Sequence, residues 1–302
     1  MHAVVCPDCG ENAEKVGPIP SGYIFAGNML QSPISGGHLY RCKCCFLAFR
    51  WPRLKKTNLD DLYKTGNIDN WTSYASARTD WAIAKKYINE LLNYKGSILD
   101  IGCFDGQFLA TLGNKFLIFG IEIHEGASQA ASAKGVSVVA SNFSELSGCY
   151  DFITAFDVIE HTESPMQFLS QCLDIVKPGG YLLISSGNYD SMTFLMMRNQ
   201  YWYCAIPEHI SFISPKWLSY FESRLKFEII RINFFSHHDG SLSLKIKELI
   251  LNLINWISPS LISQLRKIGF GKSKIINYLQ FTGTPPYWIT AKDHFLILLR
   301  KL

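Results

Sequence analysis

The stretch ILDIGCFDGQFL, residues 98–109, decides the fold. An apolar run contains a carboxylate at Asp100 and then breaks at Gly102 and Gly106 before the next apolar residues. We interpret residues 97–101 as a buried strand and residues 107–112 as the start of a helix. Glycines in such a turn let a ligand approach the backbone and expose its N–H groups. The stretch therefore predicts a β–turn–α unit with a ligand site at its turn.

Strand and helix patterns alternate around this unit, which is typical of a parallel doubly wound sheet. A helical pattern precedes it, over residues 81–92, and further helices are expected at 127–133 and 166–176. The other predicted strands are residues 116–123, 136–140, 152–156, 181–185, 227–232 and 295–299, and the sequence KPGG at 177–180 is interpreted as a turn. Ligands of such sheets bind beyond the carboxyl ends of the strands, so the site is expected there.

A second acid supports a nucleoside site. Glu122 ends the second predicted strand about 20 residues after the turn, where a carboxylate can accept both hydroxyls of a ribose. The turn reads G-x-x-x-G rather than the G-x-G-x-x-G of dinucleotide folds, and Asp100 lies inside the strand. A turn without that phosphate cradle suits a nucleoside that carries no pyrophosphate. The alternative is an ordinary βα turn, against which Glu122 weighs.

These residues resemble the class I S-adenosylmethionine-dependent methyltransferases. The likeness also includes DFITAFDVIEH (151–161) and LDIVKPGGYLLIS (173–185), spans about residues 95–231, and extends to the final DHFLILLRK (293–301). The resemblance implies an α/β, Rossmann-like, doubly wound sheet of seven strands. It also implies S-adenosyl-L-methionine as the cofactor.

The resemblance assigns cofactor contacts to the turn and to the following strand ends. The turn would lie against the methionine part, Glu122 would hold the ribose hydroxyls, and residues 142–143 would border the adenine. The end of the fourth strand would lie near the sulfonium. The residues implied in cofactor binding are Asp100, Gly102, Cys103, Phe104, Gly106, Glu122, Ile123, Asn142, Phe143, Asp157 and Val158.

Phe104 departs from the commoner family pattern, which has a glycine at that place. A phenylalanine fits there if its φ is negative and its ring points away from the cofactor, or if the ring lies over the methionine chain. We interpret the neighbouring Cys103 as a small packed side chain rather than a nucleophile.

The amino-terminal cysteines predict a metal site. Cys6 and Cys9 form one C-x-x-C pair, Cys42 and Cys45 form a second, and Cys44 is a rival for the second pair. Two such pairs complete a tetrahedral, closed and therefore structural zinc site; the alternative is four free thiols. The opening residues carry no secretory signal, so the nine cysteines indicate metal binding or free thiols rather than disulfides. For the same reason we expect a cytoplasmic location.

Methyl transfer to a hydroxyl or an acidic C–H needs a base held above the sheet. YWYCAIPEHISFISPKWL, residues 201–218, resembles the substrate-side segment of zinc-bearing sugar methyltransferases. We predict His209 as the catalytic base and Glu208 as the group that orients it or tunes its charge, with Tyr201 and Tyr203 as weaker candidates. The alternative is that His209 only hydrogen-bonds the backbone and shapes this segment. His161 is expected to pack or to cap the next helix.

A long insertion, residues 236–292, separates the sixth and seventh predicted strands. Its first helix has polar residues on one narrow stripe, Lys245, Glu248, Asn252 and Asn255, and a second helix begins at 258–259. We interpret the two helices as a pair that covers the core or forms a dimer contact. The alternative is a peripheral membrane-surface element over 242–270, next to a lipid-linked glycan acceptor.

The predicted organisation has five parts. Residues 1–54 form a zinc-binding module, 55–94 a helical connector, 95–235 the cofactor-binding core, 236–292 the helical insertion and 293–302 the last core strand. The oligomeric state is left open.

The resulting function is a methyltransferase that acts on a small molecule. The expected acceptor is a hydroxyl or carbon of a sugar, for example a sugar nucleotide or lipid-linked glycan, or of a related natural-product intermediate. One alternative is an RNA-base methyltransferase whose zinc module holds RNA, and another is a non-catalytic cofactor-binding adaptor. The net charge of only +4 weighs against nucleic acid. So does the sequence DVIE at 157–160, where a base-methylating motif would otherwise stand.

Overall fold

The computed structural model describes residues 3–53, 56–69, 78–236, 238–267 and 285–302. Its amino-terminal part contains five short strands. They are β1 (Ala13–Pro18), β2 (Gly22–Phe25), β3 (Asn28–Ile34), β4 (His38–Cys42) and β5 (Ala48–Trp51). Strands β2 and β3 form a hairpin, while β4 pairs antiparallel with both β1 and β5.

The remaining strands build the central sheet and extend the amino-terminal one. They are β6 (Ser97–Ile101), β7 (Leu117–Ile121), β8 (Ser137–Ala140), β9 (Tyr150–Phe156), β10 (Val176–Gly187), β11 (Ser211–Phe212), β12 (Phe227–Phe235) and β13 (His294–Lys301). All of these except β11 form one sheet of seven strands in the order β12-β13-β10-β9-β6-β7-β8. Strands β6 to β10 are parallel, and β13 runs antiparallel to both of its neighbours. The predicted fold class is confirmed.

Helices lie on both faces of this sheet. The α-helices are α1 (Lys56–Lys64), α2 (Thr79–Leu92), α3 (Gln107–Ala110), α4 (Glu125–Ala133), α5 (Pro165–Asp174), α6 (Met192–Met197), α7 (Pro215–Leu225), α8 (Leu242–Ile257) and α9 (Pro259–Lys267). Successive strand residues point to opposite faces, so Ile98 joins a core with α2 and α3 while Leu99 joins a core with α5 and α7. This arrangement explains why the central strands are apolar throughout.

Contacts that join the amino-terminal sheet to the central body include a strand pairing and a buried carboxylate. Strand β11 pairs antiparallel with β5, so the small sheet has the order β1-β4-β5-β11 and includes a strand from the segment that follows His209. The carboxylate of Asp8 accepts hydrogen bonds from Trp217 Nε1 at 2.8 Å and from Ser164 Oγ at 2.9 Å. The amino-terminal part is therefore fixed to the helices α5 and α7. The five domain boundaries remain predictions.

The predicted turn at KPGG is wrong. Residues 177–180 lie within β10, where the pairing with β9 shifts register between Val176 and Tyr181. The glycine at 180 permits this path, because a Cβ there would lie 2.9 Å from the carbonyl oxygen of Asp151. The strand absorbs the extra residues as an irregularity instead of ending.

The two helices of the insertion occur as α8 and α9, and α8 lies against the protein through its polar stripe. Glu248, Asn252 and Asn255 are buried, and the Glu248 carboxylate accepts hydrogen bonds from Thr290 N at 3.0 Å and Thr290 Oγ1 at 2.6 Å. The polar stripe thus faces the protein. The predicted connector residues 54–55 and 70–77 and the insertion residues 268–284 lie outside the described residues. Over the described ranges, no helix is both long and apolar enough to cross a membrane.

Candidate active site

The glycine turn connects β6 to α3 at the carboxyl edge of the sheet. Gly102 and Gly106 have φ values of 70° and 72°, which favour glycine. A Cβ at Gly106 would meet the backbone and side chain of Ala131 at 2.9 Å, so this glycine also lets the turn pack against α4. The backbone N–H groups of Gly102 and Cys103 donate to the carbonyl of Ile121 and hold the turn beside the end of β7.

Phe104 is held in a left-handed conformation with φ of 50°, so the negative φ named as one condition for a phenylalanine here is not met. Its backbone N–H donates to Glu122 Oε2 at 2.9 Å. Glu122 Oε1 accepts a second hydrogen bond, from His124 N at 2.7 Å. The carboxylate therefore fixes the turn against the end of β7, at the edge where the resemblance places a ribose.

The first strand carries a buried acid. Asp100 is 3 % exposed, and its Oδ1 accepts a hydrogen bond from Thr154 Oγ1 at 2.6 Å. Burial raises the pKa of Asp100 to about 7. Cys103 is buried too, and burial raises the pKa of its thiol, which suits the interpretation of a packed side chain.

The positions implied for the adenine lie after β8. Asn142 is exposed, and its Nδ2 donates to Glu145 Oε1 at 2.7 Å. Phe143 is half-buried and meets the ring of Phe168 edge-on at 5.6 Å. Ile123, half-buried, follows Glu122 at the end of β7. These residues follow the ends of β7 and β8.

An arginine that the sequence analysis missed occupies the expected sulfonium side. Arg78 Nη2 lies 2.6 Å from Asp157 Oδ2 and 2.5 Å from Asp80 Oδ2. Asp157 has a φ of 54°, and Val158 packs towards Gly102. The two carboxylates raise the pKa of Arg78 against the effect of burial. An acid at the start of an apolar helix, in the sequence RTDW at 78–81, is the only local signal of this group.

The imidazoles of two histidines meet edge to face next to this group. The ring centroids of His161 and His209 are 5.1 Å apart. His209 Nδ1 donates to the carbonyl of Tyr203 at 3.0 Å, and His161 Nδ1 lies 3.1 Å from the carbonyl of Glu208 and 2.7 Å from Tyr63 Oη. Burial lowers the pKa of His161 to about 4 and lowers that of His209 as well. Both rings are therefore neutral near pH 7.

Of the two roles expected for His161, packing or capping the next helix, capping is not observed. The side chain of Ser164 caps α5 by accepting from Gln167 N. His161 instead belongs with Glu160 and His209 to a group whose possible ligand atoms lie within 4.8 Å of one another. Sequence reasoning missed Glu160, which is fully buried and accepts from Tyr203 Oη at 2.5 Å and Ser186 Oγ at 3.0 Å.

Glu208 and the tyrosines are engaged elsewhere. Glu208 Oε1 accepts from Ala26 N at 2.6 Å, so its carboxylate points to the amino-terminal part and does not orient the His209 ring. The hydroxyl of Tyr203 is bound to Glu160, and that of Tyr201 is bound to Asp293. Burial raises the pKa of both tyrosines well above the usual value, which makes neither a ready base.

Strand β5 positions the segment that carries His209. Arg50 donates from Nη2 to the carbonyls of Cys204 at 2.7 Å and Ile206 at 2.9 Å, and from Nε to that of His209 at 3.3 Å. Its side chain is buried, so these bonds form away from water. The amino-terminal part therefore fixes the backbone of this segment.

The four cysteines of the predicted zinc site lie together. Cys6 Sγ is 3.5 Å from Cys45 Sγ, Cys9 Sγ is 3.4 Å from Cys42 Sγ, and all four lie within 4.8 Å of one another. Disulfide sulfurs would be about 2.05 Å apart, whereas neighbouring sulfurs of a tetrahedral zinc site with 2.3 Å bonds are about 3.8 Å apart. Cys44 is exposed, contacts Tyr220 Oη, and lies outside this group. The donor set fits zinc.

Comparison with known proteins identifies a family and several relatives that this chain resembles. A family described as "Methyltransferase domain" matches residues 74–224. The ubiquinone biosynthesis O-methyltransferase of Burkholderia thailandensis is 25 % identical over 160 residues, which are 47 % of this chain and 68 % of that protein. Its counterpart from Burkholderia ambifaria is 30 % identical over 159 residues, 46 % and 68 % of the two chains. Magnesium protoporphyrin IX methyltransferase from Synechocystis, solved with bound SAH, is similar in fold alone, with a TM-score of 0.50, 13 % identity and coverage of 82 % and 100 %.

Proposed function

This chain belongs to the methyltransferase-domain family and is an S-adenosylmethionine-dependent methyltransferase; from that premise we propose that it methylates a hydroxyl or carbon of a small molecule. The acceptor we propose is a sugar, carried on a nucleotide or a lipid, or a related natural-product intermediate. The observation that supports a base-assisted transfer is the pair of neutral imidazoles, His161 and His209, beside the strand end that carries Asp157.

The chain's own residues provide the cofactor side. S-adenosylmethionine supplies an electrophilic methyl group when bound. Glu122 keeps acceptor capacity for ribose hydroxyls, because each carboxylate oxygen has two lone pairs and each accepts one backbone N–H here. Backbone groups of the turn at 102–106 would border the methionine part. Arg78, held between two carboxylates, would shape the sulfonium side.

His209 is the base in this proposal. Because its Nδ1–H donates to the Tyr203 carbonyl, Nε2 carries the lone pair that can accept a proton. Nε2 would take the proton that the acceptor oxygen or carbon loses on receiving the methyl group, whose bond to sulfur breaks, and would later release it to solvent. Glu208 takes no direct part in this proposal, because its carboxylate binds Ala26 and its carbonyl accepts from His161.

Zinc has a structural role in this proposal. Cys6, Cys9, Cys42 and Cys45 would hold one ion and so fix strands β4 and β5, from which Arg50 reaches the segment that carries His209. The four protein ligands leave no open position for chemistry on the metal.

The test is product analysis with purified chain, cofactor and separate acceptor arms. Sugar nucleotides, free sugars, phenols and unmodified RNA are each incubated with S-adenosylmethionine, and S-adenosylhomocysteine and the methylated product are measured by mass spectrometry. We expect transfer to a small-molecule arm, and its loss in the Glu122→Ala variant. Transfer to RNA alone would overturn the proposal in favour of an RNA methyltransferase. Cofactor binding without turnover in every arm would favour the adaptor.

A further inference from the structure

Helix α8 presents its apolar side to solvent. The exposed fractions are 73 % for Leu242, 48 % for Ile246, 41 % for Leu249, 49 % for Ile250, 52 % for Trp256 and 76 % for Ile257, and Leu261 of α9 is 43 % exposed. At 3.6 residues per turn the exposed residues of α8 lie on one side of the helix. Contiguous apolar surface of this kind marks an interaction site in a folded protein.

The opposite side of α8 attaches the helix to the protein. Glu248 accepts from the backbone N and Oγ1 of Thr290, and Asn252 donates to the carbonyl of Tyr287 at 3.4 Å. These polar residues are buried, so the helix is held through specific hydrogen bonds. The apolar side is therefore not needed for attachment and is available to a partner.

The charges around the apolar side favour an anionic partner. Lys245 and Lys247 are exposed, and at 100° per residue they lie about 200° apart, one at each border of the apolar side. Residues 242–267 contain four basic residues, Lys245, Lys247, Arg266 and Lys267, and a single acid, the buried Glu248. A second copy of the same surface would bring like charges together. Anionic lipid headgroups would neutralise them, while the apolar side chains enter the interface.

We propose that the outward side of α8, with Leu261 of α9, lies in the surface of an anionic lipid bilayer. Helix α8 has 16 residues, about 24 Å, and lies parallel to the membrane with Trp256 at the headgroup level. The inference rests on the proposed function in one respect: membrane binding would bring the active site to an acceptor carried at the membrane. The binding itself needs neither cofactor nor acceptor.

The test is co-sedimentation with vesicles, without cofactor or acceptor. Full-length protein is mixed with vesicles of phosphatidylcholine alone or with phosphatidylglycerol added, at low and high salt. We expect binding to the anionic vesicles that weakens with salt. Lys245→Gln and Lys247→Gln should each weaken it about fivefold. The triple variant Ile246→Gln, Ile250→Gln, Trp256→Gln should weaken binding about tenfold or more on both vesicle types.

The control is Leu117→Gln, which changes an exposed apolar residue of β7, 66 % exposed, far from α8 in the chain. This variant should bind vesicles as the unchanged protein does. Unaltered melting temperature and cofactor affinity in the triple variant show that folding is intact. Absence of vesicle binding by the unchanged protein, or equal binding by the triple variant, overturns the proposal. So does a dimer in light scattering that the triple variant converts to monomer, because α8 would then pair with a second copy. None of these results depends on methyl transfer, so failure here is distinguishable from failure of the proposed function.

Discussion

Glu122 shows how one side chain can hold a turn in place. Its two oxygens hold the backbone N–H groups of Phe104 and His124, and these bonds fix a left-handed phenylalanine where glycine would be less strained. Burial raises the pKa of Glu122, and the two hydrogen bonds offset only part of that rise. The strained residue is therefore stabilised by the same carboxylate that we propose as the ribose ligand.

The change Glu122→Ala should weaken S-adenosylmethionine binding at least about tenfold. Hydrogen bonds to a charged group are each worth roughly 1.5–3 kcal/mol, and the turn also loses the group that fixes it. Isothermal titration calorimetry measures the effect. Glu125→Ala, an exposed acid three residues later, is the control and should bind normally. Equal affinity in the two variants would refute the placement of the ribose.

The change His209→Asn should lower turnover by about 10²–10⁴-fold, the usual contribution of a positioned base, while cofactor affinity stays unchanged. Burial lowers the pKa of His209 below the ordinary 6.5, so its basic form persists as pH falls below 6.5. Activity of the unchanged protein should therefore hold below pH 6.5 and decline only near the lowered pKa. A pH–rate profile with a working acceptor measures this.

His161→Asn serves as the comparison for His209. It should cost mainly stability or cofactor binding, because Tyr63 and the Glu208 carbonyl hold that ring. The stability linkage has a definite sign: since the folded pKa is about 4, the unfolded chain binds the proton first, and stability is lost as pH falls below 6.5. The variant should lack this loss in thermal melts between pH 7 and 5. Equal turnover in His209→Asn and the unchanged protein would move the base elsewhere.

Local sequence patterns predicted part of the site, and tertiary contacts made the rest. The turn at 102–106 and Glu122 follow from strand ends and glycine spacing, which are local. Arg78, just before α2, binds Asp157 across 79 residues of sequence. Glu160 accepts a hydrogen bond from Tyr203 across 43 residues. No spacing rule reports such pairs. Their only signal is an ionisable residue within an apolar stretch, as at Asp80 and Glu160.

At the scale of elements, the cysteine loops are connected to β11 through β4 and β5. Strand β4 ends at Cys42, β5 follows Cys45, and β11 pairs with β5. The backbone N–H of Cys42 donates to the carbonyl of Leu47 and closes the loop between the two strands. An ion bound by the four thiols would thus fix the ends of both strands.

Purified protein should contain one zinc per chain, and Cys45→Ser should remove it while Cys44→Ser should not. Cys45 Sγ lies 3.5 Å from Cys6 Sγ, whereas Cys44 is exposed beside Tyr220. A tetrahedral site loses most of its affinity with one of its four ligands. Elemental analysis of the two variants measures the content. Loss of metal from Cys44→Ser with retention in Cys45→Ser would contradict the assignment.

Two elements show where sequence patterns stop. Pro178 and two glycines predict a turn, yet the chain continues along the neighbouring strand because β9 and β10 pair again from Tyr181 onward. In α8 the period of 3.6 indicates a helix with a polar stripe, but the period does not say which side faces the protein. Hydrogen bonds of Glu248 to Thr290, 42 residues away, decide the orientation. Tertiary contacts thus override the local pattern in the first element and decide what it leaves open in the second.

At the scale of the whole molecule, the two sheets support different parts of the proposed site. The predicted cofactor residues lie on loops after β6, β7, β8 and β9, within the central sheet. The segment with His209 is held from the small sheet, by Arg50 and by pairing of β5 with β11. Damage to the small sheet should therefore lower the rate of methyl transfer to the acceptor before it weakens cofactor binding.

Removal of the metal tests this division. After treatment with a strong chelator, or in Cys45→Ser, β5 loses a fixed end and Arg50 loses its precise position against the carbonyls of Cys204 and His209. We expect kcat/KM for the acceptor to fall about tenfold or more, because a small displacement of a base has a large effect on rate. Cofactor affinity, measured by calorimetry, should change less than threefold, taking roughly 0.6 kcal/mol as the limit. Hydrogen exchange should rise at residues 201–213 and stay unchanged at 97–106. Added zinc should restore both rate and protection in the chelated protein but not in Cys45→Ser. Parallel loss of cofactor binding and turnover would mean instead that the small sheet supports the entire fold.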